Sequence, residues 1–160
     1  MSKTFLGLVT TDEIRGALGV DSTDVDDDLI DSYSPEKDLK ASLMSWVPTY
    51  PTIISEGAAG SPDDAQTLKY LTLQNYAKYF TSAISATSAV ASILQKKSDG
   101  SNEGVRFSNV SFRDLKLDLE ARAAAARSEL EALVAPTQVA TYSQFSKVIP
   151  TYDPVTNTEP

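Results

Sequence analysis

Apolar residues recur at helical spacing over most of this 160-residue chain. Thr10 and Glu13 form a Thr-x-x-Glu capping box ahead of Ile14, Ala17 and Leu18, and Gly19 supplies a stop. A first helix of about two turns is predicted there. An aspartate-rich stretch follows: Asp21, Asp24, Asp26, Asp27, Asp28 and Asp31. Carboxylates in a first turn suit the positive end of a helix dipole, so a second helix opens here, with Leu29, Ile30 and Tyr33 on its apolar side. Ser34 and Pro35 start a third helix. It reaches about Val47 and buries Leu39, Leu43, Met44 and Trp46 or Val47. Residues 48–61 hold Pro48, Pro51, Gly57 and Gly60 among several Ser and Thr. They read as a long contact loop with at most a short turn at Ile53 and Ile54.

Ser61, Pro62, Asp63 and Asp64 announce a long helix running to about Gln95. Leu73, Tyr76, Phe80, Ala83, Ile84, Thr87, Val90, Ala91 and Leu94 form its stripe, which Leu68 and Leu71 widen. Ser82 to Ser92 is nearly all Ala, Ser and Thr, which lets another helix approach closely; a break near Thr81 is the alternative. Lys96 to Gly104 reads as a turn. Val105, Phe107 and Val110 alternate with polar residues, which predicts a short extended segment or hairpin near 104–110. Ser111 caps a last helix from Phe112 to about Val134, ended by Pro136. Phe112, Leu119, Ala126 and Leu133 recur every seven residues, with Leu115 or Lys116, Ala123 and Leu130 as a second seam. Residues 135–160 carry no helical stripe and read as an extended arm. The predicted fold is therefore mostly α: a small helical bundle over 1–134 with one long central helix, then the arm.

A chain of this length suits one domain, which buries roughly 70% of its unfolded surface. Composition narrows the chemistry. With no cysteine, disulfides and thiolate sites are excluded. With no histidine, Ser-His-Asp and Cys-His catalysis and Cys/His zinc sites are excluded as well. The net charge of −8 is uneven: residues 1–40 carry ten acids against four bases, net −6, and the remaining 120 carry twelve against ten. An acidic chain repels nucleic-acid phosphates, so ordinary DNA binding is disfavoured. The apolar run near Met1–Val9 is too short for a secretory signal. Tyr79–Gln95 is 17 uncharged residues rich in Ser and Thr. It falls short of the ~20 mainly apolar residues of a membrane span, and the chain reads as soluble.

No motif for catalysis survives inspection. Asp24, Asp26 and Asp28 match the first three ligand positions of a calcium loop, but Leu29 stands at its glycine and Pro35 at its final glutamate. A solvated helix start is the simpler reading. Ser34 and Lys37 match a Ser-x-x-Lys nucleophile pair without the partner motifs of that chemistry. Gly57 to Gly60 lacks the lysine of a phosphate loop. Tyr70, Tyr76 and Tyr79 are of a type that stacks on bases, although on an apolar helix core or interface is the default. No enzyme activity, metal or cofactor is expected.

One local pattern resembles a known family. Val9, Thr10, Thr11, Asp12, Glu13, Ile14, Arg15, Gly16, Ala17, Leu18, Gly19 and Val20 lead into Asp24-Val-Asp-Asp-Asp-Leu-Ile30. This is similar to the opening of the head–tail connector (adaptor, or head-completion) proteins of tailed bacteriophages. There a short helix ending in a Leu-Gly-Val-like turn precedes an aspartate-rich entry into a second helix. The later order of long Ala/Tyr-rich helix, turn and further helix resembles them too, over residues 8–134. The 48–61 loop and the 135–160 arm depart from the compact family pattern.

The resemblance implies a non-enzymatic virion subunit of the neck, made in the host cytoplasm. It implies homo-oligomeric rings, often of about twelve subunits, between the portal protein and a downstream neck or tail protein. DNA passes through such a channel without specific binding. Asp26, Asp27 and Asp28 are the candidate channel-facing acids. Tyr142, Phe145, Val148, Ile149 and Tyr152 are the candidate partner-binding residues of the arm. Two other readings stand beside this one: another neck or tail-completion subunit, and an acidic DNA mimic that inhibits a nucleic-acid enzyme.

Overall fold

The computed structural model describes residues 2–32, 35–59, 61–98 and 112–135, with the backbone alone for 87–98 and 112. The expected segment near 104–110, the caps Ser34 and Ser111, Tyr33, and the arm with Tyr142, Phe145, Val148, Ile149 and Tyr152 lie outside the described residues. The described fold is mostly helical, as the periodicity predicts, and it also holds a small two-stranded sheet. Its order is β1 (Thr4–Phe5), β2 (Val9–Thr10), α1 (Thr11–Leu18), α2 (Asp27–Ser32), α3 (Pro35–Trp46), α4 (Tyr50–Gly57), α5 (Asp64–Ser98) and α6 (Phe112–Val134).

The hairpin is a departure from expectation. β1 and β2 pair antiparallel, with Thr4 opposite Thr10 and Phe5 opposite Val9. Leu8 N–H donates to the Phe5 carbonyl across Leu6 and Gly7, both at positive φ, as a type I′ turn requires. The turn is fastened to α3 by Glu36, whose carboxylate accepts the Leu6 N–H at 3.3 Å. Phe5, Leu8 and Val9 enter the core.

The capping box on α1 forms as read. Thr10 Oγ1 accepts the Glu13 N–H, and the Glu13 carboxylate accepts the Thr10 N–H at 2.7 Å. Gly19 closes the helix in the left-handed conformation at φ +69°. α3 buries Leu39 and Leu43, and Val47 follows them inward. Met44, expected in the core, is 59% exposed, because the buried stripe runs through Pro35, Leu39 and Leu43 on another side.

The 48–61 loop reading is corrected. α4 occupies most of that stretch and buries Tyr50 and Ile53. Pro51 stands in its first turn, where a missing N–H leaves no helical bond unmade. Gly57 then passes so close to α5 that a Cβ there would fall 2.3 Å from Tyr70 Cβ. The glycine serves close packing as well as punctuation.

α5 is the axis of the molecule, and α1, α3, α4, α6 and β2 all pack on it. Its cap lies two residues beyond Ser61: Asp63 Oδ1 accepts the Gln66 N–H at 2.6 Å, and Gln66 Oε1 accepts the Asp63 N–H. Leu68 and Leu71, read as part of the stripe, are 45% and 50% exposed. The helix runs unbroken through Thr81, whose hydroxyl donates to the Ala77 carbonyl at 2.7 Å. Around this point most of its surface is covered: Thr81, Ser82, Ala83, Ser85 and Ala86 are buried, and Ile84 is half-buried. Small side chains there let neighbours approach from several directions. α6 is the most extensive neighbour and buries Leu119, Ala123, Ala126 and Leu130, close to the predicted seams.

Candidate functional site

Two surfaces concentrate the notable side chains. The first is the acidic N-terminal face, built by α1, the 19–26 connection and α2. Asp21 organises the connection, its carboxylate accepting the N–H groups of Thr23 and Asp24 at 2.8 and 3.1 Å. Asp26 caps α2 by accepting the Leu29 N–H at 2.7 Å. Asp27 and Asp28 occupy the first turn, as their charge favours.

Arg15 sits at the centre of this face, and sequence reasoning missed it. Its side chain is 7% exposed, and the guanidinium bonds Asp12 at 2.6 Å, Asp27 at 2.7 Å and the Val25 carbonyl at 3.2 Å. One side chain thus ties α1 to the connection and to α2. Burial works against its charge, but the hydrogen bonds to Asp12 and Asp27 outweigh that and hold its pKa above the usual value. The Thr11 hydroxyl, then Arg15, hold the Asp27 carboxyl below the ordinary carboxylate range. Asp12 is lowered mainly by Arg15. Lys3 reaches over from the hairpin to Asp31 and Asp28 at 2.9 and 3.2 Å, and these bonds raise its pKa.

The three candidate channel acids therefore differ. Asp26 and Asp28 face solvent, with the Asp28 side chain 94% exposed. Asp27 is 20% exposed and turned toward Arg15. They line a polar basin of about 660 Å³ with Ser2, Lys3 and Ser22. Helical geometry turns Asp26 and Asp28 to different partners, the α2 backbone and Lys3. Among the described residues no group of three or more acids is placed to hold a metal ion.

The second surface is a cleft of about 440 Å³ between α5 and α6. Phe80, Ala83, Ile84, Ala123 and Ala124 form its apolar floor, and Lys116, Glu120 and Arg127 its rim. Tyr76 closes one end. Its hydroxyl lies 2.6 Å from Ser42 Oγ, and its ring meets Trp46 edge-on at 5.0 Å and Phe80 in a stack at 5.4 Å. The Arg127 guanidinium lies 5.0 Å from the centre of the Trp46 ring. Of the tyrosines considered for base stacking, Tyr76 belongs to the core and Tyr70 packs beside Gly57. Tyr79 is partly buried beneath Arg122, whose guanidinium lies 5.7 Å from its ring centre.

No protein family, curated protein or solved structure matches this chain. Its reading rests on its own residues. Among the described residues, no helix is long and apolar enough to cross a membrane.

Proposed function

We propose that this chain is a head–tail connector (adaptor) subunit of a tailed bacteriophage. It forms a ring between the portal protein and the next neck or tail protein, and extends the DNA channel. The observation that carries the reading is the pattern from Val9 to Ile30: a capped short helix, a Leu-Gly-Val stop, then an aspartate-rich entry into a second helix. The mostly helical fold, with two long helices and no histidine or cysteine for chemistry, supports a scaffold over an enzyme.

The acidic face has a physical role in this reading. Exposed carboxylates on a channel wall discourage phosphate contacts and let DNA slide past without sticking. Asp26 and Asp28 are the side chains able to act so, because Asp27 is engaged by Arg15. The charge-removing variant for this test is accordingly Asp26→Asn with Asp28→Asn, leaving Asp27 to hold α2 in place. Slower DNA ejection with intact ring assembly is expected, and unchanged ejection counts against the acidic-wall role.

Negative-stain imaging of the purified chain, alone and mixed with the portal protein, tests the connector reading directly. Rings that cap portals are expected. A chain that leaves portals bare but joins later neck or tail assemblies is a different completion subunit. One that instead inhibits a nucleic-acid enzyme is the DNA mimic.

A further inference from the structure

The cleft between α5 and α6 has an apolar floor open to one side, and it lies beside the point from which the chain leaves α6. We propose that it is the seat of the chain's own C-terminal segment, bound within the same molecule through residues 139–148. This does not rest on the connector reading.

Two observations commit the cleft to that occupant. The first is reach. Arg127, at the Trp46 end of the cleft, is eight residues before Ala135, so the exit from α6 lies about 12 Å beyond that end. Extended chain covers about 3.3 Å per residue, so four or five residues bring Val139 back to the cleft mouth. The rim from Arg127 to Lys116 then spans about 16 Å of α6, a distance that residues 139–145 can follow. The chain supplies 25 residues after Ala135, ample for the path.

The second observation is chemical pattern. Val139, Tyr142, Phe145 and Val148 recur at every third position and are the first large apolar residues after α6. Phe80, Ala83, Ile84, Ala123 and Ala124 offer a floor with room above the two alanines. A cleft of about 440 Å³ accepts two or three such side chains.

The chain has one tryptophan and no cysteine, which makes the test clean in the full-length protein. Ala140→Cys, at the Trp46 end of the path, is labelled with bimane, a fluorophore that tryptophan quenches at contact range. Docking predicts strong quenching, relieved several-fold by Trp46→Phe. It also predicts relief by Ala124→Glu, which places a charge on the exposed floor without touching the buried seam. Far-UV circular dichroism checks that both variants remain folded. Equal emission with and without Trp46 overturns the proposal. Quenching that disappears when the labelled chain is mixed with excess unlabelled Trp46→Phe chain also overturns it, because the occupant is then another copy's segment. Ring formation on portals is read separately, so either idea can fail alone.

Discussion

The N-terminal cap and the α5–α6 pair are held together by different physics. In the cap, α1 has eight residues and α2 six, too short to persist as helices alone. Ile14, Leu18, Val25 and Ile30 anchor them in the core, and directional polar contacts fix their angles: the Thr10–Glu13 box, the Asp26 cap, Arg15 between Asp12 and Asp27, and Lys3 across to Asp28 and Asp31. α5 and α6 have 35 and 23 residues and meet through apolar packing. Their ion pairs are exposed i,i+4 contacts such as Arg122–Asp118 and Arg127–Glu131, which contribute little. A short element needs a specific partner to fix its angle, whereas a long one only needs a surface to lie on.

The comparison is broken most forcefully from the packed side. Leu130→Ala removes a fully buried side chain between the long helices and should lower unfolding free energy by about 2–5 kcal/mol. Urea denaturation measures it. Arg15→Ala strikes the polar side and should cost about 2 kcal/mol, below the range for a fully buried pair because Asp12 is largely exposed. Arg15→Lys keeps the charge but loses the fork, so only part of that stability should return. If both Arg15 variants match the parent in urea, the cap is held by its apolar residues after all.

The pH dependence separates the regions next. Asp27 and Asp12 have folded-state pKa values below the unfolded value of 3.8. Their contribution is therefore complete above that value and lost as pH falls through the lower folded-state values. Stability should drop below about pH 4, and Asp27→Asn should flatten that part of the profile. A urea midpoint followed between about pH 2 and pH 6 reads the slope. The smallest expected effect is Thr10→Ala, about 1 kcal/mol from the loss of one cap. Amide exchange should show it confined to α1 and the hairpin, and an equal loss of protection along α6 would contradict the division.

Local signals were legible in the sequence, and non-local ones were not. Thr10, Glu13 and Gly19 bracket α1 because capping is decided within a few residues. The span of α6 and its seam of Leu119, Ala123, Ala126 and Leu130 followed from periodicity alone. The hairpin was missed because two-residue strands leave no alternation to read, and because Leu6 takes a positive φ that its residue type does not advertise. α4 was hidden by Pro51 and Gly57, both read as breakers. One stands in a first turn, and the other makes room for Tyr70. Met44, Leu68 and Leu71 fit a helical stripe on paper, but neighbours cover only one side of their helices there. Arg15 carried no local signal, because its partner Asp27 is twelve residues away. The candidate acids were visible as a cluster, but their division into exposed and engaged side chains required the fold.

α5 also sets a length. At 1.5 Å per residue its 35 residues measure about 50 Å. The acidic cap, the aromatic cluster at Tyr76 and the small-residue collar at 81–86 are all registered along it. Inserting or deleting one residue between Tyr76 and Thr81 would rotate everything beyond by about 100°. The helix is in that sense a gauge block. It fixes spacing and heading together, so neither can drift without the other.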